Sequence, residues 1–275
     1  MNNTLTLATY NIQFSQHPEK ILKTLKSLVD SGAAILCLQE VYVQPDRDIV
    51  KQILNTLGKS WDALCHLGKN GDVLSMGNCI LWNKEKISLI SHSFMNLPES
   101  KSLAFHEKIF SLLAGGIAIP FKRRIILANF IINNNKFCIA NVHLDHNGGT
   151  KNRLIQLAFI KNSLEKFSIS NKEILCGDFN CFDLSKNGKE DASYKEILGQ
   201  DYIEATKHID WTGDLYDIDT TMGNILFGKL IRFLNIHVKR KIDYIWLKNI
   251  ALSKCDKLNV SGSDHKPIVA DLVIQ

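Results

Sequence analysis

The sequence has no Cys-x-x-Cys pair in its 275 residues, so a structural zinc site has no support. Its seven cysteines, Cys37, Cys65, Cys79, Cys138, Cys176, Cys181 and Cys255, are odd in number and irregularly spaced, which argues against a disulfide framework. Cys37, Cys138 and Cys176 lie inside apolar runs and read as buried, reduced thiols. There is no Pro/Gly/Ser linker, internal repeat or low-complexity tract, so residues 1–275 read as one domain. The opening MNNTLTLATYNI lacks the basic segment, apolar stretch and cleavage site of a secretion signal. The longest apolar stretch, Ile109 to Ile119, falls far short of the roughly 20 residues that span a bilayer. These absences predict a soluble, monomeric, cytoplasmic chain without a transmembrane segment. Export without a cleaved signal and peripheral contact with a phospholipid membrane stay open. Nor does one sign of charge dominate. A net charge of +5 suits an anionic partner but is too weak to hold nucleic acid by electrostatics alone.

What is present is ordinary globular material: 45% hydrophobic residues supply a sizeable core. Thr4 to Ile12 alternates and is β-branched, as a strand requires. Pro18 opens a helix whose Ile21, Leu22, Leu25, Leu28 and Val29 form one stripe. Ala33 to Val41 is a continuous apolar run, expected of a strand covered on both faces. A helix over Arg47 to Leu57 follows, then strands at Trp61 to Leu67, Asn78 to Trp82 and Lys86 to Phe94. Arg124 to Ile132 and Lys136 to His143 form a hairpin, because Asn133, Asn134 and Asn135 tolerate positive φ. Thr150 to Phe167 is an amphipathic helix, and strands follow at Glu173 to Phe179, Lys241 to Leu247 and Lys266 to Ile274. Strand–helix–strand units mixed with hairpins predict an α/β fold with mixed sheets.

Several strands end in polar clusters that a strand does not need. These are Tyr10-Asn11-Ile12-Gln13, Leu38-Gln39-Glu40-Val41, Asn141-Val142-His143-Leu144-Asp145, Gly177-Asp178-Phe179-Asn180, Lys241-Ile242-Asp243-Tyr244 and Ser263-Asp264-His265-Lys266-Pro267. In α/β sheets the carboxyl ends of strands line the usual site crevice. Six such ends brought together would suit phosphoryl chemistry. Carboxylates such as Glu40 and Asp264 hold a hard cation such as Mg²⁺ or Mn²⁺. Other carboxylates orient or deprotonate water. Amides and protonated histidines donate to the charge that builds on phosphorus. An Asp beside a His fixes its tautomer and keeps the ring cationic.

With these motifs the chain resembles the endonuclease/exonuclease/phosphatase superfamily from Tyr10 to Pro267. GDFN after an apolar strand and SDHKP before a last strand are the more specific motifs, and all six stand in the family's order. The resemblance implies a four-layer α/β sandwich: two packed mixed β-sheets flanked by helices. It implies a Mg²⁺- or Mn²⁺-dependent hydrolase of phosphoester bonds. Asn11 and Glu40 resemble the metal-site pair, and Asp264 a second acidic metal-site residue. His143 resembles the phosphate-contacting histidine. Asp178 resembles the residue that positions or activates water. Asn180 resembles the transition-state hydrogen-bond donor, Asp243 the carboxylate that orients the final histidine, and His265 that histidine.

Taken singly, Asn11 would be a strand-end cap, Glu40 a surface acid, Asp243 a salt-bridge partner of Arg240 or Lys241, and His265 a core histidine. Their ordered recurrence after strands favours catalysis. His17, His66, His92, His106, His208 and His237 lack that context and read as structural or surface residues. Arg153 and Gln156 fit a bracing role between helix and loop. Gln13 departs from the acidic or basic residue common in nuclease relatives. Two regions bear on substrate: Ile109 to Arg124, ending in Lys122, Arg123 and Arg124, and Asp210 to Lys241, where Lys229, Arg232 and Lys239 share roughly one face of a helical pattern. A phosphodiesterase acting on nucleic acid is the preferred reading. A sphingomyelinase-like phospholipid phosphodiesterase or head-group phosphatase is the enzyme alternative, and an inert binding relative the non-enzyme one.

Overall fold

The computed structural model describes residues 3–43, 46–68, 76–99, 122–146, 148–181, 189–217, 229, 232–260 and 262–275. In chain order the elements are β1 (Thr4–Asn11), α1 (Pro18–Asp30), β2 (Ile35–Val41), α2 (Ile49–Leu57), β3 (Trp61–His66), β4 (Gly77–Asn83), β5 (Ser88–Asn96), β6 (Arg124–Ile132) and β7 (Asn135–His143). Then come α3 (Gly149–Phe167), β8 (Glu173–Asp178), α4 (Lys189–Leu198), β9 (Tyr202–Glu204), β10 (Gly213–Asp214), β11 (Lys239–Arg240), β12 (Asp243–Lys248), β13 (Ala251–Lys257) and β14 (Ile268–Val273). One six-stranded sheet runs β13-β14-β1-β2-β4-β3 and the other β5-β6-β7-β8-β12-β9. Both are mixed, because β1 lies parallel to β2 and β7 parallel to β8 while their other neighbours are antiparallel.

Alternation along the strands builds the layers. Leu5, Leu7, Ile35 and Cys37 of the first sheet meet Ile126, Phe137, Ile139, Ile174, Cys176, Ile245 and Leu247 of the second in one apolar layer. The opposite face of the first sheet packs Ala8, Tyr10, Leu36 and Leu38 against Ile21, Leu25 and Leu28 of α1 and Ile49 and Ile53 of α2. The opposite face of the second packs Leu127, Ala140, Leu175 and Trp246 against Leu157, Ile160 and Leu164 of α3 and Tyr194 and Leu198 of α4. The four-layer α/β sandwich is therefore observed. Each large apolar side chain buried in these layers contributes about 1.5–3 kcal/mol. The hairpin forms as expected, with Asn133 at φ +45° and Asn134 at φ +68° making a two-residue turn between β6 and β7.

Two expectations need correction. Cys65 and Cys79 stand opposite each other across β3 and β4 and form a disulfide. Their Cα atoms are 4.1 Å apart, the closely spaced kind of antiparallel pair. Spacing along the chain carries no information about that register. Cys37, Cys138 and Cys176 are buried free thiols, as read from the sequence. The second correction concerns 210–241. The described turn at Arg232 and Phe233 ends where Asn235 adopts φ +51°. Lys239 and Arg240 then pair with Asp214 and Gly213 as β11 on β10, so Lys229, Arg232 and Lys239 do not share one helical face. Residues 109–121 lie outside the described residues. No described helix is long and apolar enough to cross a membrane.

Candidate active site

The period of two that buries Leu5 and Leu7 between the sheets sends Thr9 and Asn11 to the same side. Likewise Phe137 and Ile139 are followed by Asn141 and His143, Cys176 by Asp178, and Ile245 is preceded by Asp243. The interlayer thus changes from apolar to polar along its length. At the change, Gln39 Nε2 donates to Thr9 Oγ1 at 3.0 Å and to Asn141 Oδ1 at 2.7 Å. Asn141 Nδ2 donates to the Leu38 and Cys79 carbonyls at 3.0 and 2.8 Å. This bonded set ties the two sheets together beneath the site. Strand register aligns the next tier: His143 is level with Asp178 across β7 and β8, and Asp178 with Asp243 across β8 and β12.

Asp178 lies at the centre and is fully buried. Its Oδ2 accepts from Asn11 Nδ2 at 2.9 Å and its Oδ1 from the Asn180 N–H at 2.8 Å. His143 Nε2 stands 3.3 Å and His265 Nε2 3.8 Å from the same Oδ2. Burial raises the carboxyl pKa and the Asp243 charge adds to it, against the pull of His265 and the two hydrogen bonds. Asn180 Nδ2 gives one amide hydrogen to the Leu144 carbonyl at 3.0 Å. Gly177 holds φ +138° just before Asp178, and a Cβ there would sit 2.0 Å from the Val142 carbonyl oxygen, so β7 and β8 reach this spacing only with glycine.

The two histidines differ. His265 Nδ1 pairs with Asp243 Oδ2 at 2.9 Å. Burial pulls the His265 pKa down, but Asp243 and Asp178 outweigh it and hold the ring well above its ordinary value, as a cation. His143 is driven the other way, by burial first and then by the Arg123 guanidinium, whose Nη1 lies 3.1 Å from Nδ1 and 2.8 Å from Nε2. Sequence reasoning placed Arg123 only in a basic tract. The hairpin could have found it: counting back from the two-residue turn sets Arg124 opposite His143, with Arg123 one step beyond.

Glu40 sits where the pairing of β2 with β4 slips between Leu38 and Val41, and it adopts φ +53°. Such an irregularity re-aims a side chain. Its Oε1 is 3.8 Å from His143 Nε2, and burial followed by the Asp264 charge lifts its carboxyl to about 7. Burial also raises Asp264. Gln13 takes a structural place here: its Oε1 accepts the Asp264 N–H at 3.2 Å, while its own N–H donates to Asn11 Oδ1 at 2.9 Å. Ser263 Oγ donates to the Asn11 carbonyl at 2.7 Å. Asn11, Glu40, His143, Asp178, Asn180, Asp243, Asp264 and His265 therefore form one linked cluster. The braces are in place too, with Gln156 Oε1 accepting the Asp145 N–H at 2.8 Å and Arg153 paired to Glu190 at 2.6 Å. Asp243 pairs with His265, whereas Lys241 goes to Glu204 and Asp191.

A divalent cation fits this donor set. Glu40, Asp178 and Asp264 are carboxylates raised by burial, and Glu40 is raised further by its two acidic neighbours. Donor atoms of Glu40, His143 and Asp178 lie within 4.8 Å of one another. Carboxylate oxygens of this kind are what a hard cation selects. Asn11 Oδ1, although bonded to Gln13, keeps a second lone pair.

A family model described as Endonuclease/Exonuclease/phosphatase matches residues 8–265. The chain belongs to that family. Membership supports metal-dependent phosphoester hydrolysis. Compared by sequence with curated proteins, the chain finds no match. Among solved structures, a family protein from Bacteroides vulgatus is similar with a TM-score of 0.70 at 16% identity, covering 99% of both chains. TDP2 of D. rerio complexed with a single-strand DNA product is similar at 0.68 and 14% identity, covering 98% of both. A mannosyl-6-phosphatase of Bacteroides thetaiotaomicron is similar at 0.65 and 17% identity, covering 98% of this chain and 99% of that one. At these identities the likeness speaks for the fold.

Proposed function

We propose that this chain is a Mg²⁺- or Mn²⁺-dependent phosphodiesterase acting on nucleic acid. The observation that carries the reading is Asp178 held from both sides, with a cationic His265 and a neutral His143 at one oxygen and the Glu40–Asp264 carboxylates beside them. Bound among Glu40, Asp264 and Asn11, a divalent cation supplies charge stabilisation at the phosphoryl and leaving oxygens. Asp178 Oδ2 orients a water molecule in line with phosphorus and takes its proton, a task its raised pKa favours. Asn11 Nδ2 and the Asn180 N–H keep that carboxylate from turning. His265 Nε2–H donates to a non-bridging phosphoryl oxygen while Asp243 fixes Nδ1 and stabilises the cation. His143 and the second amide hydrogen of Asn180 donate to the same charge. Arg123 beside His143 adds positive potential without protonating that ring.

Nucleic acid is favoured as substrate by the mild net positive charge and by the similarity to a fold that holds a DNA product in TDP2. A phospholipid reading is favoured by a different observation. Phe233 is 85% and Leu234 52% exposed, beside Arg232 and near Lys239 and Arg240. That is the composition of a surface that rests on anionic lipid.

The deciding experiment is hydrolysis of bis-p-nitrophenyl phosphate with Mg²⁺, Mn²⁺ or EDTA, on the wild type and Asp178→Ala. Metal-dependent turnover that falls about 10³-fold in the variant supports the site. Turnover in EDTA, or a variant within tenfold of wild type, overturns it. Nicking of plasmid DNA without binding to anionic vesicles selects the nucleic-acid reading; vesicle binding without nicking selects the lipid one.

A further inference from the structure

Thr212, in the link between β9 and β10, is fully buried and lies between the two parts of the chain that carry Asp243 and His265. β9 pairs with β12 only at Trp246, Leu247 and Lys248, so among the described residues the start of β12 has no strand on that side. Thr212 takes that place. Its Oγ1 accepts the Ile242 N–H and the Asp243 N–H, each at 3.0 Å. A hydroxyl oxygen has two lone pairs, and both are used here. The Thr212 backbone extends the link in two directions. Its N–H donates to the Arg240 carbonyl at 2.8 Å, and its carbonyl accepts the Lys266 N–H at 2.7 Å.

The next two residues continue the link. Gly213 bridges to His265, and the Asp214 N–H donates to the Asp264 carbonyl at 3.1 Å. Gly213 passes so close to the start of β12 that a Cβ there would lie 2.4 Å from Ile242 Cδ1. Thr212, Gly213 and Asp214 are thus bonded on one side to the strand start that presents Asp243 and on the other to the loop that presents His265. No strand pairing joins those two parts directly: Asp243 belongs to the second sheet, and His265 precedes β14 of the first. The 2.9 Å contact between Asp243 Oδ2 and His265 Nδ1 therefore depends on what holds both backbones at once. A threonine buried for packing alone has no need of its hydroxyl, since valine fills the same space.

We propose that Thr212 is a positioning residue for the reaction. By capping the two amides at the start of β12, its hydroxyl sets the place of Asp243, and through Asp243 the reach of His265 Nε2 toward the phosphoryl group. The inference rests on the phosphoesterase reading, and adds to it a residue that touches neither substrate nor metal. Without the hydroxyl, two N–H groups lose their acceptor in a buried place, and the strand start shifts to find others. A misplacement on the order of 1 Å in a catalytic group costs about 10²-fold in rate.

The test compares wild type, Thr212→Val and Thr212→Ser in hydrolysis of bis-p-nitrophenyl phosphate with Mg²⁺ or Mn²⁺, with rates taken per folded molecule. In Thr212→Val, kcat should fall about 10²-fold while KM stays within about threefold, because His265 acts on charge that builds in the transition state. Thr212→Ser keeps the acceptor and should recover most of the loss. Added to Asp243→Asn, Thr212→Val should cost less than about threefold more, since both act through one group. A kcat in Thr212→Val within about threefold of wild type overturns the proposal. So does full additivity with Asp243→Asn, or a Thr212→Ser as slow as Thr212→Val. If Thr212→Val does not fold, Thr212→Ala takes its place; failure of both to fold makes the hydroxyl a folding requirement and discards the positioning role. A wild type without turnover discards the phosphoesterase reading instead, and proton NMR of the metal-free protein then decides the positioning. The His265 Nδ1 proton, identified by its loss in His265→Gln, should shift or vanish in Thr212→Val and persist in Thr212→Ser. An unchanged signal in Thr212→Val overturns the role of Thr212.

Discussion

His143 and His265 face the same oxygen of Asp178 from two sides, yet the fold drives their protonation apart. His265 comes from the loop before β14 and leans on Asp243 of the other sheet. His143 ends β7 and leans on Arg123, one residue outside the paired strand. Burial discourages charge on both rings. The neighbour alone decides the outcome: a carboxylate overrides desolvation and an arginine reinforces it. One ring is then held cationic and the other neutral, and the two do not compete for a proton.

The sharpest way to break this difference is Asp243→Asn, which keeps a hydrogen-bonding group and removes the charge. kcat/KM should fall about 10³-fold. His265 is protonated below its folded pKa, and losing Asp243 lowers that pKa, so the alkaline limb of the pH–rate profile should move to lower pH. An unmoved limb would mean that His265 owes its charge to something else. Gly177→Ala attacks the spacing that puts both rings on one carboxylate. With φ +138° and the Val142 oxygen 2.0 Å from the new Cβ, it should destabilise by about 3 kcal/mol, read by urea denaturation.

Glu40, on the His143 side, offers a pH test. Its carboxyl is raised to about 7 from 4.5, so its contribution to stability is complete below pH 4.5 and is lost as pH rises through 7. Metal-free protein in EDTA should lose roughly 3 kcal/mol from this group as pH rises from below 4.5 to above 7. Glu40→Gln should flatten that slope, and Mg²⁺ should bind more tightly to the wild type as pH rises. A slope unchanged in Glu40→Gln would remove Glu40 from the account. The smallest effect belongs to Arg123→Gln. The His143 pKa should rise, visible by NMR titration, with a loss of about tenfold in activity, since only one nearby positive charge is removed.

The sequence reveals best what rests on local pattern. The alternation in Thr4 to Ile12 and the apolar run from Ala33 to Val41 set both the strands and the positions of Asn11 and Glu40. The Asn133-Asn134 turn set the hairpin. Legibility fails where structure depends on partners distant in sequence. β13 is an exposed edge strand whose ALSKCDK buries only Cys255, so no hydrophobic rhythm marks it. β11 exists because Gly213 and Asp214 pair with it, and a basic, apolar stretch read alone looks helical. The Cys65–Cys79 bond needs the register of β3 on β4. Arg123 was within reach, but only by treating the hairpin as a ruler.

β1 lies hydrogen-bonded between β2, its near neighbour in sequence, and β14, more than 250 residues away. Asn11 at its end serves Asp178 of the other sheet. No stretch of the chain short of both sheets can assemble the cluster. Contacts this remote close slowly, because the loop entropy is met before they form. In refolding from urea, helical ellipticity from α1 and α3 should return first and catalysis last, so turnover becomes a clock for the docking of the two sheets.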